Sequence, residues 1–388
     1  MTLLATVGQA RALDGREAGI QATHQALNGL GSNAPILGIV ISSYQYEAQQ
    51  VINGVASLLG NTPIIGFSTP AGLTSSGIQT HSVVLALLAA TDARADVTWL
   101  AGYTQGSREV SQQLADLLEH RLQQPALIFA DGFNADAEQL CASLPAGTRL
   151  AGALSSGDLH AGNAYQIGNL QYGAGGLALA RLEGNIRIGV GYAHGWQPVG
   201  SHFRVTRSRG FWVRTLDGRP ASETYAHLFG YPARDWAFPP LDHLTRLYPL
   251  GLEQPDKSLV LRSPLRVEAD GSFRMNATVG DGKEAYLLVG SLSGCQAAAA
   301  EAAGQALAAL GGARPALALV LADISWQMLF EALPGADVAA VREALGPNVP
   351  VAGGYTLGQI VPGTAATPPQ FLNQHMAVVI FGEAEEKK

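Results

Sequence analysis

The chain has 388 residues, 47% of them apolar and only 14% charged, with a formal net charge of −7. A chain of this length and apolar content folds around a large core, in about two to three domains, and is not a disordered polymer. It carries no long basic run, which argues against nucleic acid as a partner. It also has no window near the ~18 unbroken apolar residues of a membrane span.

The opening MTLLATVGQA lacks a basic stretch before its short apolar run, so no secretory signal is expected. From there six elements recur in order, three times. The first copy has a β-rich segment Leu3–Val7, a helical pattern Arg16–Leu30 and an apolar run opened by Pro35. A second helix Tyr46–Leu58 follows, then Pro63-Ile-Ile-Gly66-Phe-Ser-Thr69, and a last strand His81–Ala90. The second copy reads Val97–Tyr103, Ser107–Leu122, a run from Pro125, Ala135–Leu144, Arg149-Leu-Ala-Gly152-Ala-Leu-Ser155 and Gly175–Arg181. Within its first helix Val110, Leu114, Leu117, Leu118 and Leu122 make an amphipathic face.

The third copy begins after a gap. Its segments are Ala285–Val289, Gln296–Leu310, a run from Pro315, and Trp326–Leu345, broken near Pro334. Pro350-Val-Ala-Gly353-Gly-Tyr-Thr356 and His375–Phe381 complete it. Proline at the first residue of a strand forfeits little of the ladder. Runs this apolar fit strands buried on both faces. The copies span about 3–91, 97–184 and 284–382, each read as β-α-β-α-β-β. The predicted fold class is α/β, built on this internal repeat.

Residues 185–283 break the pattern and are rich in aromatics and turns. Asp217-Gly218 is a hairpin signal, and Pro220 is placed to enter a helix over Ala221–Phe229. Cys141 and Cys295 are the two cysteines, far apart and outside any CxxC pair. They argue against a disulfide framework or zinc site and fit a reducing cytoplasm.

Several runs resemble the FIST family. His194-Gly-Trp-Gln-Pro198, the later Val205-Thr206, and Leu216-Asp-Gly-Arg-Pro-Ala221 are similar to the end of its N-terminal domain. Pro350 to Ile360, followed by Phe371-Leu-Asn-Gln-His375, is similar to the end of its C-terminal domain. The resemblance implies two FIST-type domains, over 1–227 and 228–388. It implies a sensory, signal-transducing protein that binds a small molecule, with amino acids the usual proposal. Some stand-alone members bind haem, sense nitric oxide and regulate a partner histidine kinase. This sequence departs from the family at two positions that usually carry glutamate, where it has Gly72 and Gln359. A pocket without those carboxylates is less suited to a ligand amino group.

Ligands of open α/β sheets sit outside the carboxyl ends of the strands. Ser68, Thr69, Ser155, Asp158, Tyr355 and Thr356 fall there, and are expected to line a polar pocket. The alternative for each hydroxyl, and for Asp158, is a turn residue serving its own backbone. His194 is either a ligand contact or a structural histidine. Trp196, Trp212, Trp236 and Phe238 either wall a cofactor cavity or fill a core. For haem one axial histidine is needed, and His243 is the candidate, against an ordinary loop histidine. No nucleophile elbow, P-loop, His-Glu-x-x-His or EF-hand is present, so a non-enzymatic role is expected. An enzyme of unrecognised type and a partner-binding scaffold are the alternatives.

Overall fold

The computed structural model describes residues 3–238 and 241–383, with the side chains of Asp242 and His243 outside the described set. The first unit runs β1 (Leu4–Ala10), α1 (Gly15–Leu30), β2 (Leu37–Ser43), α2 (Ala48–Leu59), β3 (Ile64–Thr69), β4 (Ala71–Thr74), β5 (Gly77–Thr80) and β6 (Val83–Ala89). The second repeats it with β7 (Arg94–Leu100), α3 (Ser107–Leu118), β8 (Ala126–Ala130), α4 (Ala137–Ser143), β9 (Leu150–Leu154), β10 (Gln166–Gly168), β11 (Gln171–Gly173) and β12 (Leu177–Glu183).

The third unit opens with β13 (Ile186–Ala193). The chain then leaves it for an insertion of β14 (Trp196–Arg209), β15 (Trp212–Leu216), β16 (Arg219–Pro220), α5 (Ala221–Phe229), α6 (Leu241–Leu244), β17 (Leu250–Glu253), β18 (Leu259–Arg262), β19 (Pro264–Val267), β20 (Phe273–Met275) and β21 (Glu284–Gly290). It resumes with α7 (Leu292–Ala309), β22 (Arg314–Asp323), α8 (Ile324–Leu329), α9 (Ala336–Leu345), β23 (Val351–Thr356), β24 (Gln359–Val361), β25 (Gln370–Leu372) and β26 (Met376–Glu383).

Two sequence expectations are corrected here. Ala285–Val289 lies in β21, which pairs with β14 and β17 in the insertion's own sheet. The first strand of the third unit is β13, antiparallel to β26 as β1 is to β6. Close helix–strand contact explains the match. A Cβ on Gly8 would lie 2.0 Å from the Ala22 carbonyl oxygen, and one on Gly191 would lie 2.1 Å from that of Ala302. Each edge strand thus takes its helix at backbone distance, and the insertion separates the two only in sequence. Each unit also has two more strands than the β-α-β-α-β-β reading, because a short hairpin follows β3, β9 and β23.

Those hairpins join the units. Hairpin β4–β5 of the first unit adds to β23 of the third, β10–β11 of the second adds to β3 of the first, and β24–β25 of the third adds to β9 of the second. The exchange closes a ring of three mixed sheets. Their inner faces share one core, with Ile39, Phe67, Phe129, Ala153, Leu319, Ala352 and Val379 drawn from all three. Alternate residues face the outer helices, as Val40 does between Ile39 and Ile41. Both faces are covered, which is why the strands read as unbroken apolar runs.

The insertion has its own core, including Phe203, Tyr225, Trp236 and Phe273. The expected Asp217-Gly218 hairpin is present, with both residues at positive φ (50° and 77°) and Leu216 paired with Arg219. Trp196 and Trp236 are buried in cores, whereas Trp212 lies under the Arg274 guanidinium at 4.9 Å and Phe238 is exposed.

Candidate functional site

The parallel pairs bring the three carboxyl ends into register. Ser43 faces Thr69 and Asp323 faces Thr356, while Ala130 faces Leu154 one residue before Ser155. Thr69, Ser155 and Thr356 therefore occupy equivalent places, and all are buried. Ser155 Oγ donates to the Ala130 carbonyl and Thr356 Oγ1 to that of Ala322, both at 3.1 Å. The units are laced together beside them. Ser68 Oγ donates to the Ser156 carbonyl (2.8 Å), and both Ser156 Oγ (2.5 Å) and Thr69 Oγ1 (3.0 Å) donate to the Tyr355 carbonyl. The Tyr355 ring is aimed elsewhere, its hydroxyl donating to Asp337 Oδ2 at 2.9 Å, and burial pushes both groups up. Asp158 Oδ1 accepts from the backbone N–H of His160 and Ala161, an Asx turn.

The structure thus brings Ser68, Thr69, Ser155, Tyr355 and Thr356 together, but their hydroxyls already bond to protein. A surface cleft of about 360 Å³, lined by Pro125, Arg149, Ile188 and Pro362 among others, lies toward the opposite ends of β8 and β9.

Unspent hydrogen-bonding groups gather at the end of the third sheet, under the insertion. Gln166 and Gln359 open the two equivalent hairpin strands, opposite Phe67 and Ala153. Gly72 holds that place in the remaining hairpin, opposite Gly354. Gln166 is satisfied at both ends, by Ser155 Oγ (2.5 Å) and the Gly176 N–H (3.1 Å). Gln359 reaches Thr356 Oγ1 with its nitrogen at 2.9 Å, but its oxygen is buried without a partner. Asn276 Oδ1, Gln374 Oε1 and both amide atoms of Asn373 are likewise buried and unpaired. These residues lie on one turn and on the strand end paired with it. Asn276 donates to the Leu357 carbonyl at 2.5 Å, Gln359 lies two residues on, and Asn373 follows its cross-strand partner Leu372. Buried polar groups in native proteins are nearly always satisfied, so a cluster of orphans needs an explanation.

Gln374 is the hub. It sits at φ 64°, costly for a residue with a side chain. Its N–H donates to Asp323 Oδ2 (3.2 Å), its amide to the Arg246 carbonyl (2.7 Å) and Ser263 Oγ (2.8 Å), and its carbonyl accepts from Trp326 Nε1 (2.9 Å). Asp323 also pairs with Arg246 Nη2 at 3.0 Å, both fully buried, which ties the insertion to the sheet end.

Two imidazoles border this region. The His194 and His375 rings lie 4.7 Å apart, edge to face. His375 Nδ1 donates to the Asn373 carbonyl at 2.6 Å. Burial, then the neighbouring His194 and Arg262, hold His375 down to about 3, and burial also lowers His194. An unfolded histidine takes its proton near pH ~6.5. Between that pH and about 3 the unfolded chain binds the extra proton, so stability is full above the window and falls as pH drops through it. A His375→Asn variant is expected to lose less melting temperature than wild type across that range. Parallel curves for the two proteins would refute this. His243 lies in α6, its side chain outside the described residues.

Asn276, Asn373, Gln374, Arg246 and Asp323 were not singled out from sequence. Asn373 and Gln374 were visible only as part of a family-like run before the last strand. Asp323 was visible as the acid ending an apolar run.

A family model described as the FIST N domain matches residues 36–219, and one described as the FIST C domain matches residues 221–362. No curated protein matches the sequence. A solved cyanuric acid hydrolase, described as evolutionary innovation by structural concatenation, is 7% identical; the match covers 99% of this chain and all of that one, with a TM-score of 0.35. Cyanuric acid hydrolase from A. caulinodans is 11% identical over 47% of this chain and 71% of its own, with a TM-score of 0.25. T. maritima PurL complexed with ATP is 13% identical over 98% of this chain and 72% of its own, also at 0.25.

Proposed function

The chain belongs to the FIST family of sensory, small-ligand-binding signalling domains, and from that premise we propose that it is a non-catalytic sensor acting on a separate protein, such as a histidine kinase. Its ligand lies at the carboxyl end of the third sheet, beneath the insertion. One observation carries this reading: the amides of Asn276 and Gln359, which bond to the turn after β23, and those of Asn373 and Gln374, which follow the strand end paired with it, all leave buried atoms unpaired. Thr356 supports that turn, and His194 stands at its border. Ser68, Thr69 and the Tyr355 carbonyl join the three units beside it, Ser155 braces its own unit through Ala130 and Gln166, and Asp158 shapes a turn farther out. Cytoplasmic residence and a division into segments 1–227 and 228–388 belong to the same proposal.

The groups are buried, so ligand entry requires the insertion to move against the third unit. Two positions with different ligand affinity are what a sensor needs. The haem reading rests on His243 and is not carried by a described side chain. Among the described residues no group of three or more His, Cys, Asp or Glu side chains is placed for a metal ion.

The test is Asn373→Leu, a change of similar volume. Leaving a buried polar group unsatisfied costs about 1–3 kcal/mol. The variant is therefore expected to match or exceed the wild-type melting temperature, while losing ligand-induced stabilisation in a thermal-shift screen of amino acids, small carboxylates and small amides. A variant that melts well below wild type, or keeps the full ligand response, would sink the placement of the site.

A further inference from the structure

An amide side chain is nearly symmetric in shape, so its orientation is set by what its two ends touch. Three of the amides at this turn are fixed in that way. The Thr356 hydroxyl spends its proton on the Ala322 carbonyl, so toward Gln359 it can only accept, and the amide nitrogen must face it. Asn276 faces the Leu357 carbonyl, another pure acceptor. Gln374 faces the Arg246 carbonyl. In each case the nitrogen is committed and the oxygen is left, buried and unpaired. Asn373 has both ends free.

The charges beside them are already matched. Arg246 pairs with Asp323 and Arg262 with Glu138, and the Nε–H that each guanidinium leaves buried and unpaired suits a neutral carbonyl of the ligand. His375 is held neutral by its buried surroundings.

We infer that this site takes an uncharged small molecule rich in N–H donors, of the amide or urea type. The inference rests on the reading that the ligand lies at this turn. Three carbonyl oxygens oppose a carboxylate. An ammonium group would lack the carboxylate that makes such a bond strong, and would meet the Arg246 and Arg262 charges. An N–H-rich neutral molecule supplies the missing donors without bringing a charge into the interior. Asn373 can present its amide nitrogen to the ligand's own carbonyl.

The experiment is a thermal-shift titration of the full chain with acetamide and hydantoin, against acetate and methylamine. The two amides are expected to raise the melting temperature with concentration, the acid and the amine not. Both responses should vanish in Asn373→Leu and weaken in Asn276→Leu. Gln359→Glu, which puts a carboxylate at the turn, should transfer the response toward methylamine. Stabilisation by acetate or methylamine that Asn373→Leu abolishes would overturn the ligand class and leave the site standing. An amide response equal in wild type and both leucine variants would overturn the site as well. No response to either amide would overturn the class.

Discussion

Removing Asp323 is expected to destabilise the protein by about 3–5 kcal/mol, the cost of breaking a buried ion pair from one side. The carboxylate does four things at once. It neutralises Arg246, accepts the N–H and the hydroxyl of Ser325 at the start of α8, and holds the N–H of strained Gln374. Asp323→Ala leaves Arg246 fully buried, with its Nη1 on the Pro264 carbonyl and its Nε unpaired. Arg246→Met is expected to cost less, because Asp323 keeps three donors. Urea unfolding of the two variants checks both magnitude and order. An Asp323→Ala loss under about 1 kcal/mol, the scale of an exposed pair, would mean that water reaches the pair. Loss of Asp323 should also release Gln374 from its left-handed conformation and, with it, the aim of Asn373, so ligand response should fall together with stability.

The repeated core was readable in the sequence because its signals are local. An apolar run opened by proline, an amphipathic helix and a glycine before a hydroxyl each announce themselves within a few residues. The third unit's first strand was not, since β13 and α7 are neighbours in space across an insertion spanning residues 194–291. The hairpins were hidden for a related reason. Four-residue strands such as β4 and β5 gain their stability from another unit's sheet, and so carry little pattern of their own. At the site the hydroxyls could be located from sequence, but their commitment to the Tyr355 and Ala322 carbonyls could not. An orphaned amide is a property of its neighbours. Gln359 and Asn276 are unremarkable letters until the insertion and the third sheet place them at one turn.

Gly152→Ala is expected to cost about 3 kcal/mol or more, at or above the top of the range for overpacked cores. The repeated glycine marked the three units in the sequence, and the structure gives its reason. Gly66, Gly152 and Gly353 sit opposite Val40, Ile128 and Val320 in parallel pairs. A Cβ on them would lie 2.3, 1.8 and 2.1 Å from the carbonyl oxygens of those partners. The obstacle is backbone within a sheet buried on both faces, so no side chain can turn away to relieve it. All three alanine variants should be strongly destabilised, Gly152→Ala the most. Gly304 provides the opposite sign. It lies on the exposed face of α7 with nothing within 4 Å of an added Cβ, so Gly304→Ala should stabilise by up to about 1 kcal/mol, the helix-propensity difference. Chemical denaturation of the four variants separates the effects. A tolerated Gly152→Ala would show that the parallel pairs can move apart, and that the ring of exchanged hairpins is looser than its bonds imply.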